Sequence, residues 1–316
     1  MNKQHFEEKN EKIRNKFLEL KSKHPDRFQK KLLFSWSNWV FGTEDLEDSI
    51  RRLKKFGVNF IELHGNRYGK DLGYEAKTVK KILNDNGMTI SGIDGMFSRE
   101  SELASTNPLV RQTVIDYIRR NLELGFDLKA TYFIIAPGAV GRSEKYDEME
   151  FYRSAEALRK VADDFVKTDI RGVIEPIQLA EVSLCHTFED AKAYIKAVNH
   201  PGVKHINGDV YHMMVGESHI GESIINAGDM LVNLHLADSN RDALGEGSID
   251  LDIIIMALYC IGYNTRNNCY VTAEPLPRGK NVSKTFYGIT KPKILDELVK
   301  TTIHYFQERE EAVLSL

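Results

Sequence analysis

Eight short apolar runs alternate with eight longer amphipathic stretches along this chain, and that alternation restricts the fold more than any other feature. The runs are residues 32–36, 59–63, 89–93, 132–136, 172–174, 203–206, 231–236 and 270–273. Several are rich in Val and Ile, and none alternates cleanly with polar residues, which is how parallel strands buried on both faces read. The stretches between them carry helical patterns. In residues 45–56 the apolar side chains Leu46, Ile50, Leu53 and Phe56 fall on one helix face. The other helices are expected at 76–84, 108–124, 150–168, 188–198, 221–227, 251–261 and 292–307. Pro108 and Pro292 stand where a helix accepts proline in its first turn. Gly57, Gly87, Gly125 and Gly262 stand where a glycine ends one.

Strict alternation of strand and helix argues for a parallel sheet. Eight such units argue for an α/β chain closed into a (β/α)8, or TIM, barrel. An open doubly wound sheet would want a glycine-rich turn after its first strand. Here that turn reads Ser37-Asn38-Trp39-Val40-Phe41-Gly42. A charged helix from Phe6 to about Ser22 precedes the first unit. The expectation is one domain over residues 1–316, with a helical extension at 1–30 and the barrel at 31–307.

Charge narrows the partners. Lys and Arg total 43 against 46 Asp and Glu, a formal net charge of -3. That balance offers no electrostatic footprint for nucleic acid or an anionic membrane. No apolar run approaches the roughly 18 residues of a membrane span, and the charged start lacks the apolar core of a signal peptide. Cys185, Cys260 and Cys269 form no Cys-x-x-Cys pair, so they read as reduced thiols and the protein as cytoplasmic.

In a barrel the chemistry lies where strands end and loops begin. The fifth run ends in Glu175-Pro176, the sixth in Asp209, the seventh contains His235, and the eighth ends in Glu274-Pro275. These four residues follow one another at intervals of about one βαβ unit, roughly 30 residues. They would therefore meet on one rim, on adjacent strands. Three carboxylates converging without a counter-charge would raise each other's pKa. A divalent cation resolves that conflict, and three oxygens with one imidazole suit Mn²⁺, Mg²⁺ or Co²⁺. Each proline pushes the glutamate before it into extended backbone, fixing it at a strand end. His64 ends the second run, where a site role and a structural role are equally open. His186 and His219 fall in loops and read as solvated. The segment 245–250 reads as a turn into a helix capped by Ser248 or Asp250.

At these residues the sequence resembles the xylose isomerase-like barrel superfamily, and within it the ketose 3-epimerase branch. That branch carries a Glu at strand 5 and another six residues on, here Glu175 and Glu181. It carries Asp-x-x-His at strand 6, here Asp209 to His212, and a His followed by Asn-Arg, here His235 and Asn240-Arg241. Its strand 8 ends Glu-Pro, here Glu274-Pro275. The resemblance implies Glu175, Asp209, His235 and Glu274 as metal ligands, and Glu181, His212 and Arg241 as sugar contacts. Segments 34–39, 62–66, 137–142, 205–213 and 305–313 further resemble the α subunit of bacterial C-glycoside deglycosidases. Those enzymes cleave the carbon–carbon bond between a 3-oxo-glucosyl unit and a flavonoid-type aglycone, together with a smaller β subunit. Asp238 stands where the epimerases have Glu, and the N-terminal helix is additional.

The chemistry itself has two branches. A sugar ketone beside a hydroxyl can chelate one divalent ion, which stabilises the enediolate left when the neighbouring C–H is deprotonated. Reprotonation from the other face is epimerisation, with Glu175 and Glu274 as the pair of bases. Expulsion of a carbon leaving group from C1 is a lyase reaction, with His64 or His212 as the acid or base near the aglycone. The leading expectation is the lyase: a Mn²⁺-dependent α subunit of a hetero-oligomer with a smaller β subunit. It would cleave 3-oxo-C-glucosides to aglycone and an unsaturated 3-keto sugar, using Glu175, Glu274 and His212 for catalysis and His64, Glu181 and Arg241 for substrate binding. A ketose 3-epimerase or related isomerase is the alternative. A metal-bearing scaffold subunit would not need so complete a set, and an endonuclease would want a basic phosphate-binding face.

Overall fold

The computed structural model describes residues 4–65 and 73–316. Asn66, the end of one segment in the narrower resemblance, lies outside the described residues. Eight parallel strands close into a barrel in chain order, β1 beside both β2 and β8. They are β1 (Leu33–Ser37), β2 (Phe60–His64), β3 (Thr89–Asp94), β4 (Tyr132–Ile135), β5 (Arg171–Ile174), β6 (Val203–Asp209), β7 (Leu231–Leu236) and β8 (Tyr270–Ala273). The barrel closes where Leu33 pairs with Tyr270 and Trp36 with Ala273. All eight expected strands are present, and β6 runs three residues further than its apolar run, to Asp209.

Successive strand residues face opposite sides. Phe133 faces outward, its ring near Tyr117 and Phe165 of the surrounding helices. Its neighbour Tyr132 faces the lumen. The lumen above Tyr132 is polar: Ser35, Glu62, Ser91, Asn207, Asn233 and Thr272 are all fully buried. A buried polar group is tolerated only when hydrogen-bonded, and these bond one another.

The helices follow the expected faces with four informative differences. α2 (Leu46–Lys55), α3 (Ala76–Asp85) and α7 (Phe188–Val198) lie where periodicity places them. α4 (Pro108–Leu128) runs through Gly125 and ends at Lys129, in left-handed backbone. Gly125 instead permits close packing, since a Cβ there would meet Ile170 Cδ1 at 2.8 Å. The stretch expected as one helix is broken into α5 (Glu150–Arg159) and α6 (Ala162–Thr168). The break turns Ala162 and Phe165 onto Gly202, whose own Cβ would meet the Ala162 carbonyl oxygen at 2.5 Å.

Two short helices were not expected from periodicity. α8 (Val210–Gly216) precedes α9 (Ile220–Ala227), and α11 (Val282–Phe286) precedes the last helix. That last helix, α12 (Pro292–Ser315), continues well past 307 because its inward face continues. Its buried Glu310 accepts hydrogen bonds from the Leu32 backbone N–H and the Tyr259 hydroxyl, each at 2.9 Å.

The N-terminal helix α1 (His5–Lys23) buries Ile13 and Phe17. The Phe17 ring meets Phe28 edge-on at 5.2 Å and Tyr259 at 6.2 Å. Tyr259 belongs to α10 (Leu251–Cys260), capped by Asp250, whose side chain accepts from the Ile253 N–H. Covered by α1 on its outer side, α10 is buried along nearly its whole length. No described helix is long and apolar enough to cross a membrane.

Candidate active site

The rim formed by β5 to β8 gathers the four expected ligands. Asp209 ends β6 and pairs in register with His235 on β7. Glu175 and Glu274 lie one residue beyond β5 and β8, yet their N–H groups still donate to Ile135 at 3.0 Å and Leu236 at 2.8 Å. The sheet ladder therefore continues through both glutamates, and all four side chains stand on rigid backbone.

Ligand atoms of Glu175, Asp209 and His235 lie within 4.8 Å of one another. Glu274 stands beside this trio: its Oε2 is 2.9 Å from His235 Nδ1, and Glu175 Oε1 is 3.4 Å from the same nitrogen. The other imidazole nitrogen, Nε2, is 3.0 Å from Glu62 Oε1. A carboxylate only accepts, so Nε2 donates to Glu62; Nδ1, which faces Glu274 and Glu175, would have to give up its proton to bind a metal. This carboxylate–histidine arrangement presets a histidine for a metal. Three carboxylates and one imidazole, all buried, fit a divalent cation with a preference for oxygen and nitrogen donors.

Electrostatics agree with the crowding. Burial and the Glu274 charge push the Asp209 carboxyl up to about 6. Burial also raises Glu175. Glu274 resists its burial, because His235 and Arg241 pull it down to about 2. Burial opposes the charged form of His235, but the Glu274 and Glu62 carboxylates outweigh it and hold the imidazole well above the usual histidine range.

Beneath the ligands, the lumen side chains aim them. Asn207 Nδ2 donates to Glu175 Oε1 at 2.9 Å. Asn233 Nδ2 donates to Asn207 Oδ1 at 2.9 Å, and Thr272 Oγ1 to Asn233 Oδ1 at 2.7 Å. The Tyr132 hydroxyl donates to Glu62 Oε2 at 2.7 Å. Trp39 Nε1 donates to Glu274 Oε1. Sequence reading assigned none of these supports. The signal was available: Asn207, Asn233 and Thr272 each stand two residues before Asp209, His235 and Glu274, on the same strand face.

Glu181, His212 and Arg241 line the same cleft. Arg241 Nη1 lies 3.5 Å from Glu181 Oε1. Its guanidinium sits over the Tyr211 ring at 4.8 Å and the Trp39 ring at 5.8 Å. The backbone of Arg241 is left-handed, φ 61°. It is held there by its own N–H to Asp238 O, 2.7 Å, and by Leu276 N–H to its carbonyl, 2.6 Å. Strain of this kind persists where surrounding structure over-determines it. Asp238, whose carboxylate accepts from the N–H groups of Ser239, Gly245 and Ile249, anchors the loop. His212 Nε2 is 3.2 Å from Asp209 Oδ2, and its buried Nδ1 has no described partner.

His64 does not join them. Its Nδ1 is 3.0 Å from the Gly65 carbonyl and its Nε2 2.8 Å from the Tyr74 hydroxyl. Asn38 ties the arrangement down, donating to that hydroxyl and accepting from the His64 N–H, both at 2.8 Å. The ring is thus committed to the loop, and the substrate-binding role expected for it has no support in this geometry. His219 is not solvated as expected: its Nδ1 accepts from Glu222 N–H at 3.1 Å and caps α9.

A closed barrel whose rim gathers three carboxylates and a histidine beside an arginine-lined cleft has the donor set to hold a divalent metal. Residues 50–285 match the family described as xylose isomerase-like TIM barrel. The chain belongs to that family. It is 26% identical over 226 residues to a ketose 3-epimerase of Arthrobacter globiformis, covering 71% of this chain and 76% of that protein. It is 24% identical over 260 residues to a 3-dehydro-D-guloside 4-epimerase of Escherichia coli, covering 79% and 94%. Its fold superposes on that of D-psicose 3-epimerase with D-tagatose from Clostridium cellulolyticum H10, with a TM-score of 0.76, 22% identity and coverage of 88% and 99%. These relatives are epimerases, and the lyase expectation finds no support among them.

Proposed function

We propose that the protein is a divalent-metal-dependent epimerase of a ketone-bearing sugar. The observation that carries this reading is the convergence of Glu175 and Glu274 on His235 Nδ1, at 3.4 and 2.9 Å, in a cleft bordered by Arg241. Glu175, Asp209, His235 and Glu274 would hold the ion, Mn²⁺ in the first instance, with Mg²⁺ or Co²⁺ as substitutes. When bound, the ion supplies Lewis-acid polarisation of the ketone.

The chain's own groups do the rest. Asn207 holds Glu175 Oε1, and Trp39 holds Glu274 Oε1 while Glu274 Oε2 faces His235 Nδ1 at 2.9 Å. One carboxylate takes the proton from the carbon beside the ketone, and the electron pair moves onto the ketone oxygen. The other carboxyl returns a proton to the opposite face of that carbon. Glu181 and Arg241 hold hydroxyls of the sugar, and Arg241 offers a planar donor fork for the purpose. Incubation of the Mn²⁺-loaded protein in D₂O with D-psicose, D-tagatose and a 3-keto-glucoside tests the reading. Epimer formation with deuterium at one carbon is expected. A folded, metal-loaded protein that yields neither epimer nor exchange on any of them would falsify it.

One observation favours a second reading. Part of the cleft lining is apolar, with Met96, Phe97, Ile177, Val282 and Phe286, and would accommodate an aglycone. On that reading the same enediolate expels a carbon leaving group at C1, His212 relays the proton, and a smaller β subunit completes the enzyme. Release of free aglycone from a 3-oxo-C-glucoside, with a co-encoded small partner present, would move this reading ahead of the epimerase.

A further inference from the structure

One acidic side chain of the cleft is used neither by the ion-binding group nor by the Glu181–Arg241 pair. Asp94 ends β3 and lines the cleft, with only 7% of its surface exposed. Its backbone is held firmly. It pairs in register with His64 on β2 and Ile134 on β4, and its carbonyl accepts from Gly65 N–H at 2.6 Å. The next residue, Gly95, lies so close to β4 that a Cβ would meet Ile134 O at 2.3 Å. A side chain on such backbone is presented in a defined direction.

Among the described residues, no hydrogen bond or ion pair reaches the Asp94 carboxyl. The residues that follow it into the cleft, Met96 and Phe97, are apolar. A carboxyl removed from most of its water and given no protein donor is costly unless something else supplies the hydrogen bond. β3 stands four strands from β7 in the closed barrel of eight. Asp94 therefore faces the cleft from the side opposite the loop that carries Arg241.

We propose that Asp94 is a further substrate-contacting residue, accepting a hydroxyl of the bound keto sugar on the side of the cleft away from Arg241. The inference rests on the keto-sugar reading above and adds a determinant of which sugars fit. It concerns binding, and Asp94 holds one end of a polyol while Glu181 and Arg241 hold the other. A sugar without a hydroxyl at that position would leave the buried carboxyl unpaired, the situation in which polar sites discriminate most strongly.

A cycle of variants and deoxy sugars tests it. Metal-loaded wild type, Asp94→Ala and the near-isosteric Asp94→Asn are compared for binding and turnover of D-psicose and D-tagatose and their monodeoxy analogues. Binding is read from calorimetry and from fluorescence of Trp39 in the cleft. Asp94→Ala should raise Kd and KM roughly tenfold to a hundredfold at unchanged metal content. Removal of one particular hydroxyl should cost wild type the same factor and cost Asp94→Ala almost nothing. Asp94→Asn keeps an acceptor oxygen and should fall between the two, which guards against misfolding of the alanine variant. The inference is overturned if the variants bind and convert every sugar as wild type does, or if each missing hydroxyl weakens wild type and Asp94→Ala equally. A wild type that binds these sugars without epimerising them counts against the epimerase reading alone, because the cycle is still decided by Kd.

Discussion

Two strand ends carry nearly the same three residues. β2 closes with Glu62-Leu63-His64, and β7 contains Asn233-Leu234-His235. In both, a polar side chain faces the lumen, a leucine faces the helices, and a histidine follows at the next inward position. Their fates differ completely. His235 has carboxylates at both nitrogens, Glu62 on one side and Glu274 and Glu175 on the other. His64 has a carbonyl and a hydroxyl at its two nitrogens. Position at a strand end does not make a histidine a ligand; the groups that claim its ring nitrogens decide.

The largest effect should come from the β5–β8 side. Glu175→Gln or Glu274→Gln removes one of two proton-transfer groups, and kcat should fall roughly 10²- to 10⁴-fold. Each variant should stay folded, because glutamine preserves the hydrogen bond from Asn207 or Trp39. Rates of epimer formation check this, and near-normal turnover in either variant would break the assignment of that residue.

Glu62→Gln sharpens the comparison, since Glu62 sits on β2 but serves β7. Glutamine in its place no longer presets the His235 tautomer through a carboxylate. Metal affinity should fall about tenfold to a hundredfold, measured by titration of the apo-protein with Mn²⁺. An unchanged affinity would reduce Glu62 to a filler of the lumen.

Arg241→Lys comes next. Lysine keeps the charge but loses the planar fork and the stacking over Tyr211 and Trp39. KM should rise roughly tenfold with metal content unchanged. A loss of metal would instead assign Arg241 to holding the ligand set.

These contrasts also explain what the sequence disclosed. The barrel was readable because its strands are buried on both faces and its helices on one, so each element carries its own period. The four rim residues were readable because they recur at or just past strand ends about one βαβ unit apart. Glu62 was not, because its partner His235 lies 173 residues away across the lumen. α8 was missed for a related reason. Asp209 caps it, accepting from Tyr211 N–H at 2.8 Å, while also standing in the candidate metal group, so one residue carries two signals and the ligand pattern is the stronger. Gly125 read as a helix end because close packing and helix termination both select glycine.

His64→Gln should have the smallest effect and is the sharpest test of the pair. The substitution removes the ring that accepts from Tyr74 and packs edge-on against Phe286 at 5.5 Å. The loss is one buried hydrogen bond and some ring contact, so stability should drop by about 1 to 2 kcal/mol, read as a shift in the urea midpoint at constant slope. Metal affinity should stay within about twofold of wild type, because the described partners of the His64 ring, Gly65, Tyr74 and Phe286, are neither ligands nor ligand supports. kcat should also hold, since the imidazole faces the loop and not the cleft. The same substitution at His235 should strip the metal and abolish turnover. If His64→Gln instead lowers kcat by more than about tenfold in folded, metal-loaded protein, a proton-transfer role of the size expected for a catalytic histidine returns. The second strand end would then have to be rebuilt as part of the site.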